Sequence, residues 1–414
     1  MKILRTLEPD KLRNLLTLFS SGMLFWISTT ILLPVMPAYI KDVGATTQQV
    51  GLVMGCFAIG LLLSRTKLGH LADHRGRKIV VLIGTFVVGV APVGYLFAHS
   101  IPTLMVLRAF HGISLAAFTT GYNALVVDLS PPKQRGELIG YMSLVIPFGM
   151  ALGPALGGIL TEATSYATVF LFAAVAGVLS FNLASRVKED NKRRKSQPKG
   201  KGNSNIPRLR IWHFCKMHHL RVPAMVLLLI GLVFGMLVSF LPLYIRETGL
   251  DFNAGLFYTA AAIASFVMRV FVGRASDIYG RGLFITSSLV FYIISMLLLS
   301  FGQNSLVLII SAIAEGIGAG VLIPMTIALM SDRSLAQERA QIYAFCIGGF
   351  DLGIGMAGPM FGYLASTFTY RDMFFLAAIL ASCALTIFLT LSSKNLIHSL
   401  RFAAGRERDF YALD

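Results

Sequence analysis

The sequence predicts an all-α membrane protein with twelve transmembrane helices in two pseudo-symmetric six-helix bundles. Three features predict it. Apolar runs are long enough to cross a bilayer, basic residues gather on one side of those runs, and the chain repeats itself at a near-constant offset.

Composition sets the class. Of 414 residues, 55% are hydrophobic and only 14% are charged, a balance foreign to soluble domains. The 39 glycines and 30 phenylalanines suit helices packed closely in lipid. A span needs about 20 mostly apolar residues, so a dozen spans leave little chain for a soluble domain. No phosphate-cradling loop, metal cluster, ATP-binding motif or nucleophile with its base is evident, so neither an enzyme nor a cofactor nor a bound metal is expected.

The apolar runs place the spans in order. The first half (1–187) holds 14–38, 48–68, 79–98, 103–127, 138–160 and 166–187. The second (222–393) holds 222–245, 253–273, 283–302, 306–330, 341–365 and 371–393. Met1 to Arg13 is charged and lacks a small-residue cleavage site, so the first run reads as a retained helix. Residues 188–221 are polar and strongly basic and read as a cytoplasmic linker; 394–414 read as a cytoplasmic tail. The end of the linker mixes Ile211, Trp212 and Phe214 with basic residues, as a helix on an anionic lipid surface would. His213, Cys215, His218 and His219 there match no strong zinc spacing. Of the four cysteines, Cys56, Cys346 and Cys383 sit in spans as small hydrophobes and Cys215 lies in the linker, with no disulfide framework implied.

The net charge of +16 suggests nucleic acid until its placement is examined. All but five of the 36 Lys and Arg residues are counted on one side of the spans. Lys41, Arg246 and Arg371 are counted on the other side and Arg108 and Arg269 within spans, while Arg65, Lys67 and Arg186, at the basic ends of their runs, are counted with the basic side. This is the positive-inside asymmetry; it places both termini in the cytoplasm and removes the case for nucleic acid.

The repeat is the most informative feature. A turn reading Gly69, Asp73, Gly76, Arg77 returns 204 residues later as Gly273, Asp277, Gly280, Arg281. Asp128 and Ser130 return as Asp332 and Ser334, and Arg135 as Arg339. Gly153-Pro154 returns as Gly358-Pro359, and Pro37 with Tyr39 returns as Pro242 with Tyr244, both at 205. Two six-span halves in parallel repeat follow, and such transporters bind substrate near the midplane between the halves.

On these residues the chain resembles the major facilitator superfamily over nearly its whole length. The stretch Gly69 to Lys78 looks like the family's signature loop between the second and third spans. The resemblance implies a charged latch of Asp73, Arg77 and Asp128, with Asp277, Arg281 and Asp332 as its counterpart, which favours one gate state and breaks in the other. Solvated loop charge is the plainer reading and accounts well for Arg75 and Lys78. In the fourth span Arg108 resembles the family's intramembrane arginine, whereas His111 stands where glutamine is commoner. An intramembrane arginine is costly and marks function unless neighbouring carbonyls hold it. Gly149, Gly153, Pro154, Gly157 and Gly158 match every fixed position of a pattern associated with the superfamily's antiporters, and otherwise make a ridge for tight packing.

Two acids fall deep within spans, Glu315 and Asp351. Each can carry a proton, or simply pair with Arg108 or neighbouring backbone. His111 and Glu315 stand 204 apart, which invites the expectation that they face each other across the cavity. They join Asp351 and Arg108 as proton-coupling candidates. The cavity lining is expected from Trp26, Thr29, Tyr122, Asn123, Phe148, Tyr258 and Phe350, a set suited to a mostly apolar solute.

The resemblance therefore implies a secondary transporter working by alternating access, and the fifth span favours proton-coupled efflux of a small amphiphilic organic solute or drug. An importer or symporter of a small metabolite, a lipid flippase, and a non-transporting membrane protein on the same scaffold are the alternatives, since fold fixes neither direction nor substrate. Expected partners are the solute, protons and membrane lipids, around a monomer in a plasma (bacterial inner) membrane.

Overall fold

The structure, a computed structural model, describes residues 7–131, 134–189, 217–335 and 338–413. The greater part of the basic linker, including His213 and Cys215, lies outside the described residues, as do the side chains of His218 and Asp277.

The first half runs α1 (Pro9–Thr30), α2 (Met36–Asp42), α3 (Thr47–Arg75), α4 (Arg77–Phe97), α5 (Ile101–Leu129), α6 (Arg135–Ser143), α7 (Val145–Ala163) and α8 (Tyr166–Arg186). The second runs α9 (His218–Thr248), α10 (Ala254–Tyr279), α11 (Arg281–Phe301), α12 (Ser305–Asp332), α13 (Arg339–Leu364), α14 (Tyr370–Leu391) and the short α15 (Leu396–Ala403). Among the described residues 11 spans are long and apolar enough to cross a membrane. The remaining predicted span, 14–38, is divided between α1 and α2 by a turn at 31–35. A proline disfavours the helical region for the residue before it, and Pro34 has no N–H to give. Its counterpart in the repeat is Ser239, and α9 accordingly runs unbroken through Pro242.

The helices overrun the apolar runs at the basic end. α3 stops at Gly76 (φ 118°) and α10 at Gly280 (φ 86°), conformations that a side chain would strain, so these turns need glycine. The N-termini at the opposite end are capped by Thr46, Ser100, Ser165, Asn253, Asn304 and Thr369, whose side-chain oxygens accept from the first helical turn.

Packing follows the repeat. In the first half α1 packs on α7 and α8, α3 on α5, and α4 on α5 and α8. In the second, α9 packs on α13 and α14, α10 on α12, and α11 on α12 and α14. Two seams join the halves, α3 against α13 and α7 against α10, and these too are repeat-related. Small residues let the backbones touch. A Cβ on Gly51 would strike the Gly358 carbonyl, and one on Gly255 would strike the Pro154 carbonyl. Gly60 and Gly112 press α3 and α5 together in the same way.

Contacts between the halves gather toward the end that holds Gly44 and Gly249. There Arg246 donates to Asp42 at 2.6 Å, and Asn253 packs against Gly158. A Cβ on Gly69, Gly136, Gly140 or Gly348, toward the basic end, would meet no neighbour within 4 Å, and neither would one on Gly44 or Gly249. Among the described residues, the contacts that join the halves run from the closed end, at Gly44 and Gly249, inward to Arg65 and Asp351.

Candidate functional site

Asp351 sits midway along α13 and is tied across the seam to Arg65 of α3. Asp351 is 13% exposed and Arg65 35%. The sequence suggests Arg108 as a static partner for this acid and counts Arg65, near the end of the run 48–68, with the basic side. The structure corrects both: Arg65 lies inside α3, ten residues before its end at Arg75. A signal for it exists in the chain. Arg65 stands 204 residues before Arg269, the offset of the surrounding repeat.

His111 and Glu315 do not face each other across a cavity; each is enclosed in its own half. His111 is fully buried, with its Nδ1 3.1 Å from the Tyr95 hydroxyl and its ring edge-on to Phe57. Arg108, 7% exposed, lies with its guanidinium 4.8 Å over the Phe57 ring, a cation–π contact within the first half. Glu315 is 5% exposed, with Tyr258 of α10 and Tyr292 of α11 as its polar neighbours. His111 Nε2, Arg108 Nε and Glu315 Oε1 are buried without a hydrogen-bond partner. Buried polar atoms left unpaired carry a cost, so these positions hold groups whose chemistry is not spent on packing.

The latch residues separate into pairs. Arg77 binds Asp128, and its guanidinium also donates to the Ala124 carbonyl at 2.8 Å. Its backbone N–H donates to Glu189 at 2.9 Å. Arg281 lies 3.4 Å from Asp332 and donates to Ser276 at 2.6 Å. Both pairs lie within one half each. Asp73 is exposed and joins neither among the described residues.

The glycine ridge of α7 packs on α1 rather than on the other half. Gly149 abuts Trp26, Gly153 abuts Thr30, and Gly157 abuts Ile31. Thr30 fastens the pair by donating to the Gly149 carbonyl at 2.8 Å. Gly158 and Pro154 instead meet Asn253 and Gly255 of the second half, and α7 stays helical through Pro154.

Of the residues expected to line a cavity, Tyr122 and Tyr258 are buried in the cores of their halves. Tyr122 donates to the Met142 carbonyl at 2.9 Å and stacks on Phe118, and Tyr258 points to the Leu237 carbonyl. A Tyr ring with one reachable carbonyl is well housed in a core. Trp26, Thr29 and Phe350 are half-buried, Asn123 is exposed, and Phe148 meets Phe266 across the α7–α10 seam with ring centres 5.8 Å apart. At the closed end a cavity of about 420 Å³ is lined by Asp42, Glu162, Tyr166, Arg246 and Asn253.

Two further features escaped the sequence reading. Asp42 and Arg246, themselves 204 apart, meet across the closed end, with Tyr166 donating to Asp42 at 2.6 Å. The tail is docked on the second half. The fully buried guanidinium of Arg333 holds Asp409 at 2.6 and 2.8 Å and donates to the His219 and Ser392 carbonyls. Cys56 and Cys346 are buried, whereas Cys383 is exposed on its helix.

The repeat and the paired halves agree with comparison to known proteins. The family model of the Major Facilitator Superfamily matches residues 18–285 and 249–408. The chain belongs to the major facilitator superfamily. It is a multi-pass membrane transporter. It is 26% identical over 318 residues to the Quinolone resistance protein NorA of Staphylococcus aureus strain MRSA252, covering 75% of this chain and 80% of that protein. It is 27% identical over 376 residues to the Multi-drug resistance efflux pump PmrA of Streptococcus pneumoniae serotype 4, covering 87% and 92%. The crystal structure of the nucleoside transporter NupG superposes with a TM-score of 0.76 at 12% identity, over 91% of this chain and 100% of that one, a likeness of fold alone.

Proposed function

We propose that this superfamily member exports small amphiphilic organic solutes in exchange for protons, as a monomer in the plasma membrane. The observation that carries the reading is Asp351 bound to Arg65 across the seam between halves. That bond needs an ionised carboxylate and two apposed helices. A proton arriving at Asp351 removes the charge, and the seam loses its strongest tie. Occupancy by a proton and separation of the halves are thereby linked, which is the requirement for coupling.

The positive-inside asymmetry supports a cytoplasmic basic end, with the Asp42–Arg246 end sealing the outside. The named activities of NorA and PmrA support drug-like solutes and the outward direction. The half-open aromatic side chains Trp26, Phe148 and Phe350 supply apolar contact for such a body. Glu315, buried with one oxygen unpaired, is the second proton-coupling residue.

The test is reconstitution in liposomes enclosing a pH-sensitive dye, challenged with amphiphilic cations and neutral metabolites under an imposed proton gradient. Solute-dependent proton release that disappears in both Glu315→Gln and Asp351→Asn is expected. Solute movement without proton flux, or full coupling in both variants, would sink the mechanism. Uptake along the proton gradient would make the protein an importer.

A further inference from the structure

Arg65 and Arg269 hold one position of the repeat. Arg65 stands four residues before Gly69 and eight before Asp73, and Arg269 stands likewise before Gly273 and Asp277. Arg65 takes a carboxylate from the helix across its seam. Across the other seam, the repeat offset from Asp351 falls on Ile146 and Pro147, which have nothing to accept with. The acids of α6 and α7 are Glu137 and Glu162, near the two ends of that pair of helices. On α12, Glu315 lies near Tyr258 and Tyr292, and Tyr292 is also a neighbour of Arg269, but no ion pair joins Glu315 to Arg269 among the described residues.

Arg269 is nonetheless an exposed side chain inside the Ala254–Val272 span. It does not look into lipid. Ile263, Val267, Val270 and Phe271 form the exposed apolar side of α10. Thr259 and Phe266 touch α7, and Ala261 and Ser265 touch α12. At 100° per residue, Arg269 falls between those two contact faces, on the inward side. Tyr292 of α11 is a titratable neighbour of Arg269. Three residues away, Phe266 and Phe148 offer an aromatic surface.

We propose that Arg269 binds the carboxylate of the transported solute, an organic amphiphile with an anionic group beside an aromatic or apolar body. The solute's carboxylate takes, on the α7–α10 seam, the place that Asp351 holds on the α3–α13 seam. This rests on the export reading above and narrows its substrate class from amphiphiles in general to those bearing a carboxylate. Guanidinium supplies two parallel donors to such a group, and the aromatic pair receives the rest of the molecule.

The probes are an aromatic carboxylic acid and its methyl ester, titrated calorimetrically into the purified full chain in neutral detergent. The acid is expected to bind on the order of tenfold more tightly than the ester, as a charge-assisted hydrogen bond requires. Arg269→Gln should bring the acid down to the ester and leave the ester unchanged, and Arg269→Lys should recover part of the difference. Equal binding of acid and ester to the native chain, or equal weakening of both by Arg269→Gln, would overturn the proposal. So would loss of phosphatidylglycerol binding in Arg269→Gln with the acid unaffected, which would assign the guanidinium to a lipid headgroup. Proton-coupled transport of the neutral ester does not involve Arg269, so its survival or loss judges the export reading separately.

Discussion

The seam between α3 and α13 and the seam between α7 and α10 share one plan and diverge along their length. At the closed end they are alike: Gly51 presses on Gly358 and Gly255 on Pro154, all at one repeat offset. Further in they differ. The first seam joins Arg65 to Asp351, whereas the second joins Phe148 to Phe266 and leaves Arg269 exposed. A duplicated scaffold has kept the close backbone contacts that let the halves rock and has altered the chemistry at one seam. An apolar seam responds to what fits into it, and an ionic seam responds also to protons.

The largest effect should come from breaking the ionic seam. Arg65→Gln should abolish solute-driven proton release while the protein remains folded by size-exclusion profile. Severing a buried pair costs about 3–5 kcal/mol, and less here because Arg65 is 35% exposed. Next come the shared contacts. Gly51→Val and Gly255→Val should wedge open the closed end to similar degrees, read as faster labelling of a cysteine placed at Asn253 in a background freed of other cysteines. A large difference between the two would show that the seams are not equivalent even there.

A smaller effect is expected from the aromatic seam. Phe148→Ala removes a ring contact worth about 0.5–1.5 kcal/mol and should raise KM by roughly threefold to tenfold with proton coupling intact. The smallest lies in the docked tail, away from both seams. The Arg401 guanidinium, with His398 beside it, holds the Glu407 carboxyl below the usual carboxylate range. A depressed folded value gives stability that is present above the unfolded value and lost as pH falls through the folded one. Glu407→Gln should therefore lower Tm slightly at neutral pH, and its difference from the native chain should vanish in acid.

Much of the fold was legible because lipid forces helices, and helices of fixed thickness leave long apolar runs. The repeat was legible from Gly76, Arg77, Gly280 and Arg281, whose turn geometry tolerates little change. The break at 31–35 was hidden, since Pro34 and Pro37 each look like an ordinary kink until both act in one turn. The site was less legible. Asp351 stood out as an acid in an apolar run, but its partner is 286 residues away and no local pattern reports it. Arg65 was masked because it sits near the basic end of its own run, 48–68, where a cation reads as part of the charge asymmetry. Tyr122, Tyr258, His111 and Glu315 misled for one reason: polar groups in a membrane helix can turn toward their own bundle's core as readily as toward the space between bundles. The docking of the tail by Arg333 and Asp409 lies beyond sequence reasoning, because a charged C-terminal stretch has the composition of a solvated one.

The most direct measurement is solute-driven proton release in liposomes from the charge-exchanged protein, Arg65→Asp with Asp351→Arg, beside the two single variants. The account predicts that each single variant is silent and that the exchanged protein recovers coupled release, because a titratable ion pair again spans the α3–α13 seam. Release in the single variants equal to the native chain, or an exchanged protein that is folded yet as silent as they are, would contradict it.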